Sequence, residues 1–76
     1  MSAGYSARYK TIAQAIKKKR IEKGLTQEEL AEKSAISISY LTKIEAPNTM
    51  KAFSLEAVFA IADALGVSVA ELLKDV

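Results

Sequence analysis

The chain has 76 residues, of which 50% are hydrophobic and 26% charged, and this is the composition of one small globular domain. It contains neither cysteine nor histidine, which excludes disulfides, thiol chemistry, histidine acid–base chemistry and the usual zinc sites. We therefore expect no enzyme activity, no metal and no cofactor, and the lack of cysteine fits a cytoplasmic location. No apolar run approaches the length of a membrane span, so no membrane association is expected.

The charge is unevenly distributed along the chain. The formal net charge is +2, but residues 1–25 hold seven basic side chains against one acidic, whereas residues 26–76 hold four against eight. Such asymmetry is expected where one end of a chain meets a polyanion. A solvated helix face would produce the same pattern, so charge alone leaves both interpretations open.

Five helices and no strand are predicted, with a flexible arm over residues 1–7 and the folded domain over residues 8–76. The first helix is predicted from about Arg8 to Lys23. Its apolar positions, among them Ile12 and Ile16, recur at helical spacing, and Gly24 ends it.

The second and third helices are short and adjacent. Thr26 and Glu29 form a capping-box pattern that begins the second helix. Ser37 is a suitable N-cap for the third, which is predicted from about Ile38 to Glu45. The inward positions of the two helices are Leu30, Ala31, Leu41 and Ile44. Two short helices joined by about three residues are a helix-turn-helix candidate.

The fourth and fifth helices follow a loop. Pro47 ends the third helix because it lacks an amide donor and disfavours helical geometry at the preceding residue. Ser54 is the predicted cap of the fourth helix, whose wide apolar stripe is Leu55, Val58, Phe59, Ile61, Ala62 and Leu65. Gly66 closes that helix. Ser68 and Glu71 predict a second capping box and a last helix.

The segments GLTQEELAEKS, SYLTKIE and IADALGVSVAELL occur in this order and at a characteristic relative spacing. With them, the chain from about Ile12 to Leu73 closely resembles the Cro and phage-repressor (XRE-type) helix-turn-helix DNA-binding domains. The resemblance implies an all-α, five-helix, lambda-repressor-like fold whose third helix enters the major groove of double-stranded DNA. It also implies a sequence-specific transcriptional regulator, a repressor or controller, that binds as a homodimer to two half-sites about one helical turn apart.

The resemblance assigns the groove-facing positions to the third helix. They are Ser37, Ile38, Ser39, Thr42 and Lys43. Lys43 can donate to guanine O6 or N7, the hydroxyls can donate or accept, and Ile38 can contact a thymine methyl. A mixed surface patch is the alternative, although an exposed isoleucine beside serines is then unexplained.

Phosphate contacts are expected next to this face. Gln27, at the amino end of the second helix, matches the phosphate-contacting position of the family, where the helix N-terminus adds favourable potential. Tyr40 can either reach a phosphate through its hydroxyl or pack its ring against the second helix. The loop after the third helix offers Asn48, Thr49 and Lys51.

Arg20 and Glu45 match a pair of positions that often form an ion pair in this family. We expect them to tie the first helix to the third in a partly buried pair, which would orient the third helix more than it would stabilise the fold. Arg20 would then be unavailable to DNA.

The chain departs from the family pattern at the turn. Ala35 stands where glycine is usual, so it either adopts positive φ at a cost or bends the turn differently. Ser34 replaces a usual apolar residue. The loop APNTMKAFS is longer and more apolar than the family's, and lacks its glycine.

The apolar residues near the end of the chain exceed what a five-helix core readily covers, and they are the predicted dimer interface: Val67, Val69, Leu72, Leu73 and Val76. Capping of the monomer core is the alternative. A protein-interaction module that has lost DNA binding is a second function class, and a protein partner such as a toxin or another regulator stays open. The resemblance does not choose among phage, mobile-element, restriction-control and antitoxin roles.

Overall fold

Five α-helices make up the computed structural model, which describes residues 5–47 and 52–76. They are α1 (Ser6–Glu22), α2 (Gln27–Ser34), α3 (Ile38–Glu45), α4 (Leu55–Leu65) and α5 (Val69–Leu73). No strand occurs within these ranges, and the predicted all-α, five-helix fold is confirmed. None of the helices in the described part of the chain combines the length and the apolarity that crossing a membrane requires.

One hydrophobic core holds the helices together. Ile16, Leu30, Leu41, Ile61 and Leu72, one from each helix, are its fully buried large side chains. α2 packs on α3 and α4, while α1 packs on α3, α4 and α5. Because every helix contributes to the same core, the orientation of α2 and α3 depends on all the others.

Hydroxyl caps begin four of the five helices. Thr26 forms the predicted capping box, since its side chain accepts from the Glu29 amide at 3.0 Å and Glu29 Oε1 accepts from the Thr26 amide at 2.8 Å. Ser37, Ser54 and Ser68 each accept from the amide three residues later. At Ser68 only this half of the predicted box is present, because the carboxylate of Glu71 pairs with lysines instead.

The first helix differs from the prediction at its start. α1 begins at Ser6 rather than Arg8, without a side-chain cap, so the last residues of the predicted arm are helical. Residues 1–4 of that arm lie outside the described residues.

Three helices end in the same left-handed turn. α1, α2 and α4 are followed by Gly24, Ala35 and Gly66, with φ of 72°, 58° and 70°. In each turn the next residue's amide donates back to a carbonyl five residues earlier, as in Leu25 to Arg20 at 3.0 Å. Those next residues, Leu25, Ile36 and Val67, pack against the core. The open question at Ala35 is thereby answered: alanine adopts the geometry that glycine supplies elsewhere in the chain.

Candidate DNA-binding surface

α2, the turn and α3 form one compact unit around the predicted inward positions. Leu30, Ala31, Leu41 and Ile44 are each at most 3% exposed. Ala31 has only a methyl group, which lets α3 cross closely over α2. Ser34, in the last turn of α2, is buried, but its hydroxyl donates to the Leu30 carbonyl at 2.6 Å. A polar residue is tolerated there because its donor is satisfied within its own helix.

The opposite side of α3 carries the predicted base-reading residues. Ser37, Ile38, Ser39 and Lys43 are exposed and Thr42 is half-buried. Thr42 Oγ1 donates to the Ser39 carbonyl at 2.9 Å, so toward an outside group Thr42 offers lone pairs. Ser37 Oγ accepts from the Tyr40 amide at 3.0 Å and keeps its proton for donation. The face thus presents one cation, a hydroxyl that can donate, a hydroxyl that can only accept, and one apolar side chain, Ile38, which is 41% exposed.

Arg20 and Glu45 form an ion pair between α1 and α3. Arg20 Nε lies 3.0 Å from Glu45 Oε2, and their side chains are 11% and 1% exposed. Arg20 Nη2 donates to Glu45 Oε1 at 3.0 Å, while Nη1 donates to the Leu25 carbonyl at 2.8 Å. Nε, Nη1 and Nη2 of Arg20 thus each donate a hydrogen bond within the protein, which joins α1 to α3 and to the segment before α2.

Gln27 has a contact that sequence reasoning missed. Its Nε2 donates to Glu45 Oε1 at 3.0 Å, across 18 residues of chain. Gln27 is the first residue of α2 and is half-buried, so it lies at the positive end of that helix while one of its two amide protons is engaged. No local pattern predicts this contact, because it depends on how α2 and α3 cross.

Of the two roles that the sequence left open for Tyr40, the structure bears on the packing of its ring, and phosphate contact stays a prediction. Its ring is half-buried against the core. Its hydroxyl accepts from the amide of Ser54 at 3.4 Å, which joins α3 to the start of α4. An oxygen that accepts in this way still has its own proton to donate outward. The loop residues proposed for phosphate contact, Asn48, Thr49 and Lys51, lie outside the described residues.

The lysines of α1 are partly used within the protein. Lys19 Nζ lies 3.5 Å from both Glu22 Oε1 and Glu71 Oε2, so it joins α1 to α5. A hydrogen bond from Lys74, aided by the charges of Lys74 and Lys19, lowers the pKa of the Glu71 carboxyl. The same contact raises the pKa of Lys74. Lys17, Lys18 and Lys23 remain exposed.

The predicted dimer residues divide between core and surface. Leu72 is 1% exposed and belongs to the core, so its assignment to an interface is wrong. The last helix is only five residues long, too short for periodicity to tell its inner side from its outer. Val67, Val69 and Leu73 are half-buried, and Val76 is exposed.

An apolar cleft adjoins these residues. It has a volume of about 410 Å³ and lies between the starts of α1 and α4 and the end of the chain. The rings of Tyr9 and Phe53, in edge-to-face contact with centroids 5.1 Å apart, form part of its lining. We call the exposed or half-exposed apolar side chains in and beside the cleft the apolar face: Tyr5, Leu55, Phe59, Leu73 and Val76.

Two members of the apolar face, Leu55 and Phe59, belong to the apolar stripe predicted for the fourth helix. Leu55 is 63% exposed and Phe59 is 49% exposed. They lie four residues apart, on the same edge of that stripe. The sequence signal for their exposure is the width of the stripe, which is more than one partner helix can cover.

Within the described ranges, no three or more acidic side chains are grouped so that they could hold a metal ion.

Comparison with known proteins identifies the family. The helix-turn-helix family model matches residues 16–72. The restriction-modification controller protein C.AhdI from Aeromonas hydrophila is 32% identical, with a TM-score of 0.78 over 87% of this chain and 97% of that one. The clp gene regulator ClgR from C. glutamicum is 36% identical, with a TM-score of 0.78 over 88% of this chain and 84% of that one.

A third similar structure is a nucleoprotein complex of C.Esp1396I, which is 31% identical, with a TM-score of 0.77 over 88% of this chain and 84% of that one. Comparison with the curated proteins found no match. The family match covers most of the chain, and the structures agree with it in fold. The chain belongs to the XRE-type helix-turn-helix family of DNA-binding transcription regulators.

Proposed function

We propose that this chain binds operator DNA as a homodimer, reads the major groove with α3 and acts as a repressor or controller of transcription. The observation that carries the proposal is the outer face of α3. Within a unit whose inward positions are all packed, that face leaves Ile38, Ser39 and Lys43 exposed. Apolar, hydroxyl and cationic groups are what base edges require for discrimination.

The proposed base contacts are Ser37, Ile38, Ser39, Thr42 and Lys43. The proposed backbone contacts are Gln27 through its second amide proton, Tyr40 through its hydroxyl proton, and Asn48, Thr49 and Lys51 from the loop. Similarity supports binding to DNA, because one of the related structures is a nucleoprotein complex and another C.Esp1396I structure is bound to an operator site. Such backbone contacts position a protein, whereas base contacts specify the sequence.

Dimerisation is proposed through the apolar face together with Val67 and Val69. Grouped exposed apolar side chains mark interaction surfaces in small proteins. A two-fold interface must fit a copy of itself, and this face carries both a cleft and protruding side chains, Leu55 and Phe59. A monomer at tens of micromolar in sedimentation equilibrium, with and without operator DNA, would refute this part of the proposal.

The proposed role is binding without catalysis, because the chain has neither histidine nor cysteine with which to build a nucleophile–base pair. We place such a regulator in the cytoplasm, with the DNA it binds.

The test is selection of bound duplexes from a random pool, followed by titration of the enriched site at several salt concentrations. A two-fold symmetric motif is expected. Each phosphate neutralised by a lysine adds about 0.9 to the magnitude of the slope of log K against log salt, so a dimer in which Lys51 of each protomer neutralises one phosphate should give a slope near −2. No enriched motif together with a flat slope would refute DNA binding.

A protein-interaction module is the second candidate, and the apolar face favours it. Apolar association would persist as salt rises, whereas phosphate binding would not. A protein that dimerises normally but shows no salt-dependent affinity for any duplex would therefore support this second function.

A further inference from the structure

Polar side chains from α1, α2 and α3 meet at the carboxyl end of α3. Glu45 Oε1 accepts from Arg20 Nη2 and from Gln27 Nε2, both at 3.0 Å, and Oε2 accepts from Arg20 Nε at 3.0 Å. Within the described ranges, no buried side-chain nitrogen or oxygen lacks a partner. The Glu45 carboxylate is thus buried with both of its oxygens hydrogen-bonded, whereas Arg20 and Gln27 are each partly exposed.

A carboxylate determines which way round a neighbouring amide must lie. It can only accept hydrogen bonds, whereas the carboxamide of Gln27 has a donor nitrogen on one side and an acceptor oxygen on the other. The flipped amide would place oxygen against oxygen, so Glu45 selects the orientation with Nε2 inward. Nε2 has a second proton, which stays available at the positive end of α2, where an anion is favoured.

Arg20 makes a carboxylate acceptable at this position. An unpaired negative charge behind Gln27 would repel a phosphate bound in front of it. Arg20 balances that charge, and its Nη1 bond to Leu25 anchors the guanidinium to the segment leading into α2. The carboxylate therefore orients the amide without presenting net negative charge to DNA.

We propose that Glu45, with its charge balanced by Arg20, is a positioning residue that holds Gln27 so that its second amide proton meets a phosphate oxygen. This inference rests on the proposed DNA-binding function and gives the buried pair a use in it. A brace that only joined α1 to α3 would need Arg20 and Glu45 but not Gln27.

A double-mutant cycle on DNA affinity tests the proposal. Gln27→Ala should weaken binding to the selected site and to an unrelated duplex by the same factor, roughly 10- to 100-fold, because a dimer loses two hydrogen bonds that each contribute a factor of about three to ten. Gln14→Ala, at an exposed glutamine of α1, is the matched control and should leave both affinities unchanged.

The coupling between the two residues is the decisive quantity. Glu45→Gln should weaken binding at least threefold more in the otherwise wild-type protein than in the Gln27→Ala protein. The general effect of removing one negative charge is common to both backgrounds and cancels in the comparison. Equal effects in the two backgrounds would show that Glu45 does not act through Gln27, and would overturn the proposal.

Glu45→Gln leaves Arg20 buried without its partner, which can unfold a small domain. The side-chain amide of Gln27 is therefore also followed by NMR in the unaltered protein. Its protons should exchange with solvent more slowly than those of Gln14 and should shift when the selected duplex is added. Exchange as fast as at Gln14, with no response to DNA, would overturn the proposal without any variant.

Failure of the proposed function and failure of the positioning role of Glu45 give different results. A wild-type protein with no affinity for any duplex refutes the proposed function. A wild-type protein that binds with the expected salt dependence but shows no coupling refutes only the role given to Glu45.

Discussion

Replacing Ala35 by glycine is expected to stabilise the protein. Ala35 has φ 58° and ψ 34°, in the left-handed region. That conformation costs an L-residue roughly 1–2 kcal/mol, and glycine avoids the cost. Glycine also loses more freedom on folding, which opposes the gain by about 0.4–1 kcal/mol. The Ala35 side chain is exposed, so the deleted methyl group contributes little packing.

The net effect is therefore a gain of about 0.8 kcal/mol in the free energy of unfolding, the midpoint of these ranges, and a rise in Tm of roughly 3–6 °C for a domain of this size. Thermal unfolding followed by circular dichroism measures it. Operator affinity should stay within about twofold of wild type, since the turn keeps its geometry and neither helix is retilted.

The chain provides its own controls at the two equivalent turns. A Cβ added at Gly24 or Gly66 meets nothing within 4 Å, so Gly24→Ala and Gly66→Ala test backbone strain alone. Each should lower Tm by about as much as Ala35→Gly raises it. If the glycine variants lose stability but Ala35→Gly does not gain it, the Ala35 methyl group contributes packing that offsets the backbone strain. If the glycine variants are unaffected, positive φ does not strain alanine at these turns, and the expected gain is refuted.

Three further outcomes are expected. Lys43→Ala should cost roughly 1–3 kcal/mol of discrimination at one position of each half-site, measured by repeating the selection. Leu55→Glu combined with Phe59→Glu should give a monomer in sedimentation equilibrium with a nearly unchanged Tm, because both side chains are exposed. Glu71→Gln should weaken the attachment of α5. Because neighbouring lysines lower the pKa of Glu71 from 4.5, the stabilisation that its carboxylate provides is present above pH 4.5 and is lost as the pH falls through the lower pKa of the folded state. The stabilities of wild type and variant, measured by acid unfolding, should therefore converge at low pH.

The elements of the fold were predictable where short-range chemistry decides them. Thr26, Ser37 and Ser54 are hydroxyl caps whose partners lie three residues away, so the sequence shows both donor and acceptor. Ala35 marks the limit of such reasoning. The sequence shows that Ala35 must either adopt a strained positive φ or change the geometry of the turn. Which of the two is lower in free energy depends on how Ile36 packs against the core.

Residues whose roles depend on the tertiary arrangement were harder to assign. Leu72 is in the core because α5 lies across α1 and α4, and five residues cannot show which side faces inward. The Gln27 contact with Glu45 required the crossing of α2 and α3 to be known. Glu71 followed the capping-box spacing, yet its carboxylate pairs with Lys19 from α1, a competitor that lies 52 positions away and that no local motif reveals.

The short length of α3 links DNA binding to the folding of the whole domain. With eight residues it is too short to be helical by itself, and it is held by Glu45 to α1 and α2 and by Tyr40 to the start of α4. Its hydrogen-bonded amide protons, such as that of Leu41, should therefore exchange only when the whole domain opens, unlike those of typical binding loops. An occupied operator then reports that the five-helix domain is folded, and any substitution that destabilises the core lowers occupancy through the same equilibrium.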